Sequence, residues 1–285
     1  ATTTTSTILQ ETPTFQFKTP PKPGSPTAIA LVGDLGQTTN STKTMAHIHK
    51  ATLLGATADG HHHHPVAVSM LLIVGDMSYA DSDPHRWPSW FEVMEPLLRS
   101  TPLQVAAGNH EVECDATTWQ IFQPFEHYFS NANRVGPAEG RSVDPEYRKT
   151  LWNQSCSTPS AFRGHYDYGN SFYAVQHGLA QVIVLNSYTD STPDSAQYQW
   201  LLGTLQAIDR SQTPWIIVGF HCPLYTTFVG HNDEVQTVQM KKHMEPLFVQ
   251  YGVNIIVAGH DHAYSRSYPL AFDQLDPAGP VYLAL

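Results

Sequence analysis

Four short apolar runs in this chain are each followed at once by a polar loop. The runs are Ala28–Val32, Leu71–Val74, Trp215–Val218 and Ile255–Ala258. Continuous apolar runs of this length are typical of buried parallel strands, and ligands of open α/β sheets bind beyond the carboxyl ends of the strands. The pattern therefore predicts an α/β fold in which the loops lie together at one sheet edge.

The loops carry side chains of the kinds that bind metal ions. Together with a further loop after the strand predicted at Leu103–Ala107, they supply the candidate ligands Asp34, Asp76, Tyr79, Asn109, His221, His260 and His262. One ion rarely needs so many protein ligands, whereas two ions that share a carboxylate do, and Asp76 is the natural bridge. Oxygen and nitrogen donors without a thiolate favour iron, manganese or zinc. Tyr79 points to iron, because a phenolate is a hard anion with affinity for Fe(III).

Length and charge exclude several classes of protein. The chain has 285 residues and a formal net charge of −10, which argues against a nucleic-acid backbone as its partner, since that would need a basic surface. No stretch approaches the roughly 20 apolar residues of a membrane helix. We therefore expect neither a nucleic-acid partner nor a membrane-spanning segment.

Cysteines and glycosylation sequons bear on the compartment. Cys114 and Cys156 could pair, and Cys222 is interpreted as a small buried residue. The sequons Asn40-Ser41-Thr42 and Asn153-Gln154-Ser155 suit a secreted glycoprotein. The polar first residues show no signal peptide, so that any leader has been removed.

The chain is divided into an N-terminal tail and linker over residues 1–27 and one domain over residues 28–285. Further predicted elements are helices at Thr44–Leu54, Arg86–Arg99, Asp194–Asp209 and about Glu234–Val249, and strands at Gln181–Leu185 and Val281–Leu285. Asp194 is the expected N-cap of its helix, with Gln197 as the partner of a capping box. Residues 113–167 are expected to form an irregular excursion that shapes a pocket, and His61–His64 a solvated loop.

The ordered motifs resemble those of the purple acid phosphatases, in the calcineurin-like metallophosphoesterase superfamily. The motifs are Asp34-x-Gly, Gly75-Asp76-x-x-Tyr79, Gly108-Asn109-His110-Glu111, His221 and Gly259-His260-x-His262. The resemblance implies a four-layer α/β/β/α sandwich with a dimetal site at the carboxyl ends of the strands. It also implies that residues 14–20 are the remnant of an N-terminal β-sandwich domain, and that the catalytic domain normally continues beyond the strand at Val281.

The same resemblance implies a role for each site residue. Asp34, Tyr79 and His262 would hold Fe(III); Asn109, His221 and His260 would hold a second metal, which is zinc, manganese or iron; Asp76 would bridge the two ions. His110 would contact the substrate phosphate, and His231 would protonate the leaving alkoxide. The implied reaction is direct attack of a metal-bound hydroxide on a phosphate monoester, and no Ser or Cys stands in a recognisable nucleophile motif.

Two other functions stay open at this point. The first is a dimetal phosphodiesterase or nucleotide hydrolase of the same superfamily, against which Tyr79 argues. The second is a catalytically silent metal-binding or adhesion protein, against which the intact ligand set and His110 argue. Small phosphate esters are the expected substrates, in a secreted or vacuolar (lysosomal) protein that could form a homodimer.

Overall fold

Two β-sheets pack face to face, and helices cover the outer face of each. The computed structural model describes Thr14, Phe17 and residues 19–54, 67–113, 121–129 and 166–285. The cysteines Cys114 and Cys156, the sequon at Asn153 and the histidine run at residues 61–64 lie outside the described residues, as do most of residues 14–18 and of the excursion over residues 113–167.

The first sheet contains three parallel strands in the order β1-β2-β3. These are β1 (Ala28–Val32), β2 (Val68–Val74) and β3 (Leu103–Ala106). Strand β2 is central, and its last five residues are buried, which is the reason that this strand has a continuous apolar sequence. All three carboxyl ends point to one edge.

The second sheet contains six strands, of which the inner ones are parallel. In chain order its strands are β4 (Tyr173–His177), β5 (Ala180–Val184), β6 (Trp215–Gly219), β7 (Ile255–Ala258), β8 (Ser265–Arg266) and β11 (Val281–Ala284). The spatial order is β4-β5-β6-β7-β11-β8, with β4 and β8 antiparallel at the two edges. Between β8 and β11, a small hairpin joins β9 (Leu270–Ala271) to β10 (Gln274–Leu275).

Five α-helices lie in the described part of the chain. They are α1 (Thr39–Leu54), α2 (Arg86–Leu98), α3 (Gln123–Tyr128), α4 (Ala196–Ala207) and α5 (Val235–Gln250). A 3-10 turn, Asn109–Glu111, follows β3. None of the described helices combines the length and apolar character that crossing a membrane requires.

Three clusters of buried side chains hold the layers together. Alternate residues of β2, such as Leu72 and Val74, face β5 residues such as Val182 between the two sheets. The other face of the first sheet packs on α1 and α2, where Trp90 is fully buried. The outer face of the second sheet packs on α4 and α5, where Phe248 is buried. The order of layers is therefore α/β/β/α, which confirms the fold class implied by the resemblance.

Two helix starts differ from the prediction. Helix α1 begins at Thr39 rather than Thr44, because Thr38, just before the helix, and Ser41, in its first turn, exchange side-chain and backbone hydrogen bonds that cap the helix start. The N-cap of α4 is Ser195, whose Oγ accepts the Tyr198 N–H at 3.2 Å, so the assignment of the cap to Asp194 is wrong. Gln197 is not part of a capping box, because its amide pairs with the backbone of Asn186.

Strand β4 is absent from the sequence-based prediction. It forms a hairpin with β5 through a tight turn in which Gly178 has a φ of 59°. Glycine adopts this left-handed conformation at no steric cost, so Gly178 is the local signal for the hairpin. The other predicted strands and helices are confirmed, with bounds that shift by a residue or a few at their ends.

Candidate metal centre

The predicted site residues come from two sheets rather than from one sheet edge. The loops after β1, β2 and β3 carry Asp34, Asp76 and Asn109, and the loops after β6 and β7 carry His221 and His260. Because the sheets pack face to face with these carboxyl ends adjoining, the five loops meet in one place. The single sheet edge expected from the apolar runs is therefore wrong, whereas the two packed sheets implied by the resemblance are confirmed.

The first group of donors lies around Asp34. One ligand atom each from Asp34, Asp76 and His262 lie within 4.8 Å of one another. The Tyr79 hydroxyl lies 2.9 Å from His262 Nε2 and donates to Asp34 Oδ1 at 3.3 Å. His262 is 63% exposed at its side chain, so this group is open to solvent on one side.

The second group of donors shares Asp76 with the first. Ligand atoms of Asp76, His221 and His260 also lie within 4.8 Å of one another. His221 Nε2 lies 3.3 Å from Asp76 Oδ2 and 3.0 Å from Asn109 Oδ1. The opposite nitrogen, Nδ1, donates to the Val74 carbonyl oxygen at 2.8 Å, which leaves Nε2 directed at the other donors.

The loops hold these side chains in an unusual backbone conformation. Left-handed φ values between 45° and 74° occur at five of the candidate ligands, namely Asp34, Asp76, Tyr79, His260 and His262. Such values are uncommon outside glycine and cluster at functional sites. They show that the loops after β1, β2 and β7 turn sharply at the residues that carry the donors.

Glycines allow the loops to approach one another. A Cβ atom at Gly108 would overlap the Asp76 carboxylate, and one at Gly75 would overlap the His221 ring. A Cβ atom at Gly259 would overlap Asp34 in the same way. The glycines that precede the ligands in the motifs are therefore a requirement of packing.

Glu111 holds the loops after β2 and β3 together through hydrogen bonds. It was not identified as a site residue from the sequence. Its buried carboxylate accepts the backbone N–H groups of Asp76, Met77 and Gly108 at 2.7–2.9 Å. Burial and the Asp76 charge raise the pKa of Glu111 to about 8, against the opposing effect of the Met77 and Gly108 N–H donors and of the His221 charge. Asp76 is thus held both by its own loop and by the one after β3.

The electrostatics of the site favour a bound cation. Burial disfavours the Asp76 carboxylate, but the charge and hydrogen bond of His221 outweigh it and hold the pKa of Asp76 at about 2. Burial likewise disfavours a charged His221, but Asp76 and Asp34 raise the pKa of this histidine to about 10. In the metal-free chain, a protonated His221 therefore balances the negative charge of the carboxylates. A bound metal ion would supply this positive charge instead.

The two histidines predicted to act on the substrate both border the donor groups. His110 Nε2 lies 3.8 Å from Asp76 Oδ2, and its ring lies 4.2 Å from that of Tyr79. Its other nitrogen, Nδ1, is 2.6 Å from Asp81 Oδ1. The ring of His231 lies 4.0 Å from that of His260.

Several contacting residues were missed by the sequence analysis. Asp81 holds His110, Glu234 contacts His231 and His260, and the Tyr188 hydroxyl donates to Asn109 Oδ1 at 3.3 Å. Asp81 could have been found from its position two residues after Tyr79, whereas Tyr188 stands in no motif.

Cys222 is free and fully buried, as interpreted from the sequence. Burial raises the pKa of its thiol to about 12, so the neutral thiol faces the Tyr188 hydroxyl at 3.1 Å. The remaining donors are carboxylate, amide, phenol and imidazole groups, a set that fits iron, zinc or manganese. The residues therefore fit a pair of metal ions that share Asp76, and their roles as ligands stay a prediction.

The chain is similar to acid phosphatases of plants. Purple acid phosphatase 22 of Arabidopsis thaliana is 32% identical over 274 residues, which cover 96% of this chain and 52% of the relative. Purple acid phosphatase 1 of Ipomoea batatas is 33% identical over 261 residues, covering 89% of this chain and 46% of the relative. The Fe(3+)-Zn(2+) purple acid phosphatase 12 of Arabidopsis thaliana is 32% identical over 259 residues, with coverages of 89% and 46%. The chain spans about half the length of these relatives.

A solved structure shows the same fold. Purple acid phosphatase PPD1 from yellow lupin (Lupinus luteus) seeds superposes with a TM-score of 0.68 at 18% identity, covering 95% of this chain and 46% of that one. These similarities confirm the resemblance that the motifs indicated. The model of the calcineurin-like phosphoesterase family matches residues 27–264, and the chain belongs to that family.

Proposed function

We propose that this chain is the catalytic part of an acid phosphatase that hydrolyses phosphate monoesters at an Fe(III)–M(II) centre. The observation that carries the proposal is the shared position of Asp76, which belongs to both donor groups, with the Tyr79 hydroxyl beside only the first. Two adjoining groups with one common carboxylate suit a pair of ions. A phenol in one group alone suits a pair of unlike ions.

The contacts of the donors support a division of them between the two metals. Fe(III) would be held in the first group by Asp34, Tyr79 and His262, and the second metal by Asn109, His221 and His260, with Asp76 between them. The name of the Fe(3+)-Zn(2+) relative supports iron together with zinc. Manganese or a second iron fits the same oxygen and nitrogen donors of the second group.

The bound metals would supply Lewis-acid activation of water and of the phosphoryl group. His110 binds the phosphate in this proposal: burial opposes its charge, but Asp81 and Asp76 raise the pKa of the imidazole, which favours the charged form that attracts phosphate oxygens. His231 is partly exposed beside His260, where it can give a proton to the leaving oxygen.

Elemental analysis with a visible spectrum tests the proposal, on protein purified without added metal or chelator. We expect one iron and one further metal per chain, a purple charge-transfer band, and faster turnover of a phosphate monoester than of a diester at acid pH. Two divalent metals in a colourless protein that prefers diesters would establish the diesterase instead. A metal-loaded protein that hydrolyses neither ester would establish the silent homologue.

We also propose that the protein is a secreted or vacuolar glycoprotein. Asn40 of the first sequon is exposed in the first turn of α1, where a glycan could be attached. A loss of mass on enzymatic deglycosylation, abolished by Asn40→Gln, would support the proposal. An unchanged mass in protein from a secreting host would contradict it. The proposed homodimer is tested by sedimentation of the same sample.

A further inference from the structure

Glu234 contacts two histidines of the centre, one with each carboxylate oxygen. Oε1 lies 2.8 Å from His231 Nδ1, and Oε2 lies 3.1 Å from His260 Nε2. Because an ionised carboxylate only accepts hydrogen bonds, both ring nitrogens must donate to it. One acidic side chain thus joins a proposed metal ligand to the proposed proton donor.

The carboxylate of Glu234 is itself held in place. The residue is the N-cap of α5, where the positive end of a sixteen-residue helix favours a negative charge. The side-chain amide of Gln236, the second residue of the helix, donates to Oε2. The side chain is only 25% exposed, so these contacts are made largely out of solvent.

The contacts fix which nitrogen of each ring is free. An imidazole that donates through Nε2 keeps its lone pair on Nδ1, so His260 would offer Nδ1 to a metal ion. In His231, which donates through Nδ1, Nε2 is the nitrogen left for the substrate, and it carries the proton for the leaving oxygen when the ring is an imidazolium. Carboxylates that accept from the second nitrogen of a metal-binding histidine orient the ring and strengthen its binding.

We propose that Glu234 is a positioning residue that orients His260 towards the second metal and His231 towards the leaving group. The part concerning His231 rests on the proposed phosphatase function, whereas the part concerning His260 rests on metal binding alone. The proximity of Cys222 to Glu234 and His260 defines the competing assignment. Ligand atoms of Cys222, Glu234 and His260 lie within 4.8 Å of one another, so Glu234 could instead be a metal ligand.

Titration of the full metal-free chain with Zn(II), followed by calorimetry, separates these assignments. In Glu234→Gln, we expect two zinc ions to bind as before, with the affinity of one of the two sites reduced by about 10- to 100-fold. Unchanged affinities would overturn the proposal, and the loss of one bound ion at saturation would show that Glu234 is a ligand. Neither result depends on phosphatase activity, so this test can fail or succeed separately from the proposed function.

Asp233→Asn is the matched control, since it removes a neighbouring charge from an exposed residue. It is expected to leave both zinc affinities unchanged; an equal loss in both variants would mean that net charge, not orientation, is responsible. Should Glu234→Gln not fold, Glu234→Asp keeps the charge but withdraws the oxygens by one methylene. A weakened zinc site in Glu234→Asp supports orientation, and an unchanged one contradicts it.

A double-variant cycle tests the link to His231 at saturating metal. If Glu234 acts on turnover through His231, Glu234→Gln in a His231→Ala background should lower kcat by much less than it does in the original chain. Full additivity of the two losses would overturn this part of the proposal. Both variants should leave KM for the phosphate ester within about threefold, because neither removes His110.

Discussion

The Tyr79 hydroxyl lies 2.9 Å from His262 Nε2, although these residues stand in loops of different sheets. Burial, together with the nearby charges of Asp34 and Asp76, raises the pKa of the Tyr79 phenol well above its usual range. Without a cation the phenol therefore keeps its proton. A deprotonated Tyr79 would therefore indicate that a metal ion is bound between the two side chains.

Tyr79→Phe should abolish the visible colour of the protein, because it removes the only proposed phenolate while leaving the donors of the second metal intact. The change is measured by absorption spectroscopy beside elemental analysis. Tyr264→Phe, at an exposed tyrosine near His262, is the control and should keep the colour. Colour that persists in Tyr79→Phe would rule out the phenolate assignment.

Asp76→Ala should remove both metals, because Asp76 belongs to both donor groups. Metal content per chain by elemental analysis is the measurement. Asp194→Ala changes an exposed aspartate and should retain the full metal content. Retention of one tightly bound ion in Asp76→Ala would show that the two donor groups act separately.

His110→Ala should lower kcat by about 10²- to 10⁴-fold without loss of metal. The metal is retained because the contact with Asp76 Oδ1, at 3.0 Å, comes from the backbone N–H of residue 110, which alanine keeps. Steady-state kinetics and elemental analysis are measured on one preparation, with His243→Ala on α5 as the control. If metal is lost together with activity, His110 is a ligand.

Gly108→Ala should impair metal binding and destabilise the fold by about 1–3 kcal/mol, because the added methyl group would overlap Asp76. Gly203→Ala is the matched control, since a Cβ atom there meets nothing within 4 Å in the middle of α4. It should stabilise the protein by about 0.5–1 kcal/mol. Denaturant unfolding measures both changes, and equal effects would contradict the packing argument.

Metal uptake at pH 7 should release protons. In the metal-free chain the pKa of His221 is raised to about 10, so the imidazole is protonated at neutral pH and must lose its proton before Nε2 can bind a metal. Apparent affinity for zinc should therefore rise between pH 6 and pH 8. Calorimetry in buffers of different ionisation enthalpy counts the protons, and a heat independent of the buffer would contradict the argument.

The positions of the candidate ligands could be predicted from the sequence because each lies within five residues of the end of a strand. Asp34, Asp76 and His221 need only the rule that parallel strands end at a common edge. The rule does not say how many sheets contribute loops to the site, and here two sheets do. The pairing of strands into sheets depends on contacts between distant segments, which a local pattern does not contain.

Residues that support the ligands could not be predicted in this way. Glu234 and Tyr188 contact the site through the packing of α5 and of the loop after β5, so no local spacing marks them. The error at Asp194 has a local cause, since Ser195 is an equally good cap one residue later. In that case the backbone geometry at the start of α4 decided between two suitable neighbours.

The contact between Asn109 and His221 bears on how long the protein resists degradation. These residues are 112 positions apart, and each belongs to a different sheet. Ions held between them would act as a cross-link that closes a long loop, which reduces the conformational freedom of the unfolded chain in the way that a disulfide does. The supply of metal during folding would then set how long the chain survives proteolysis, independently of its turnover.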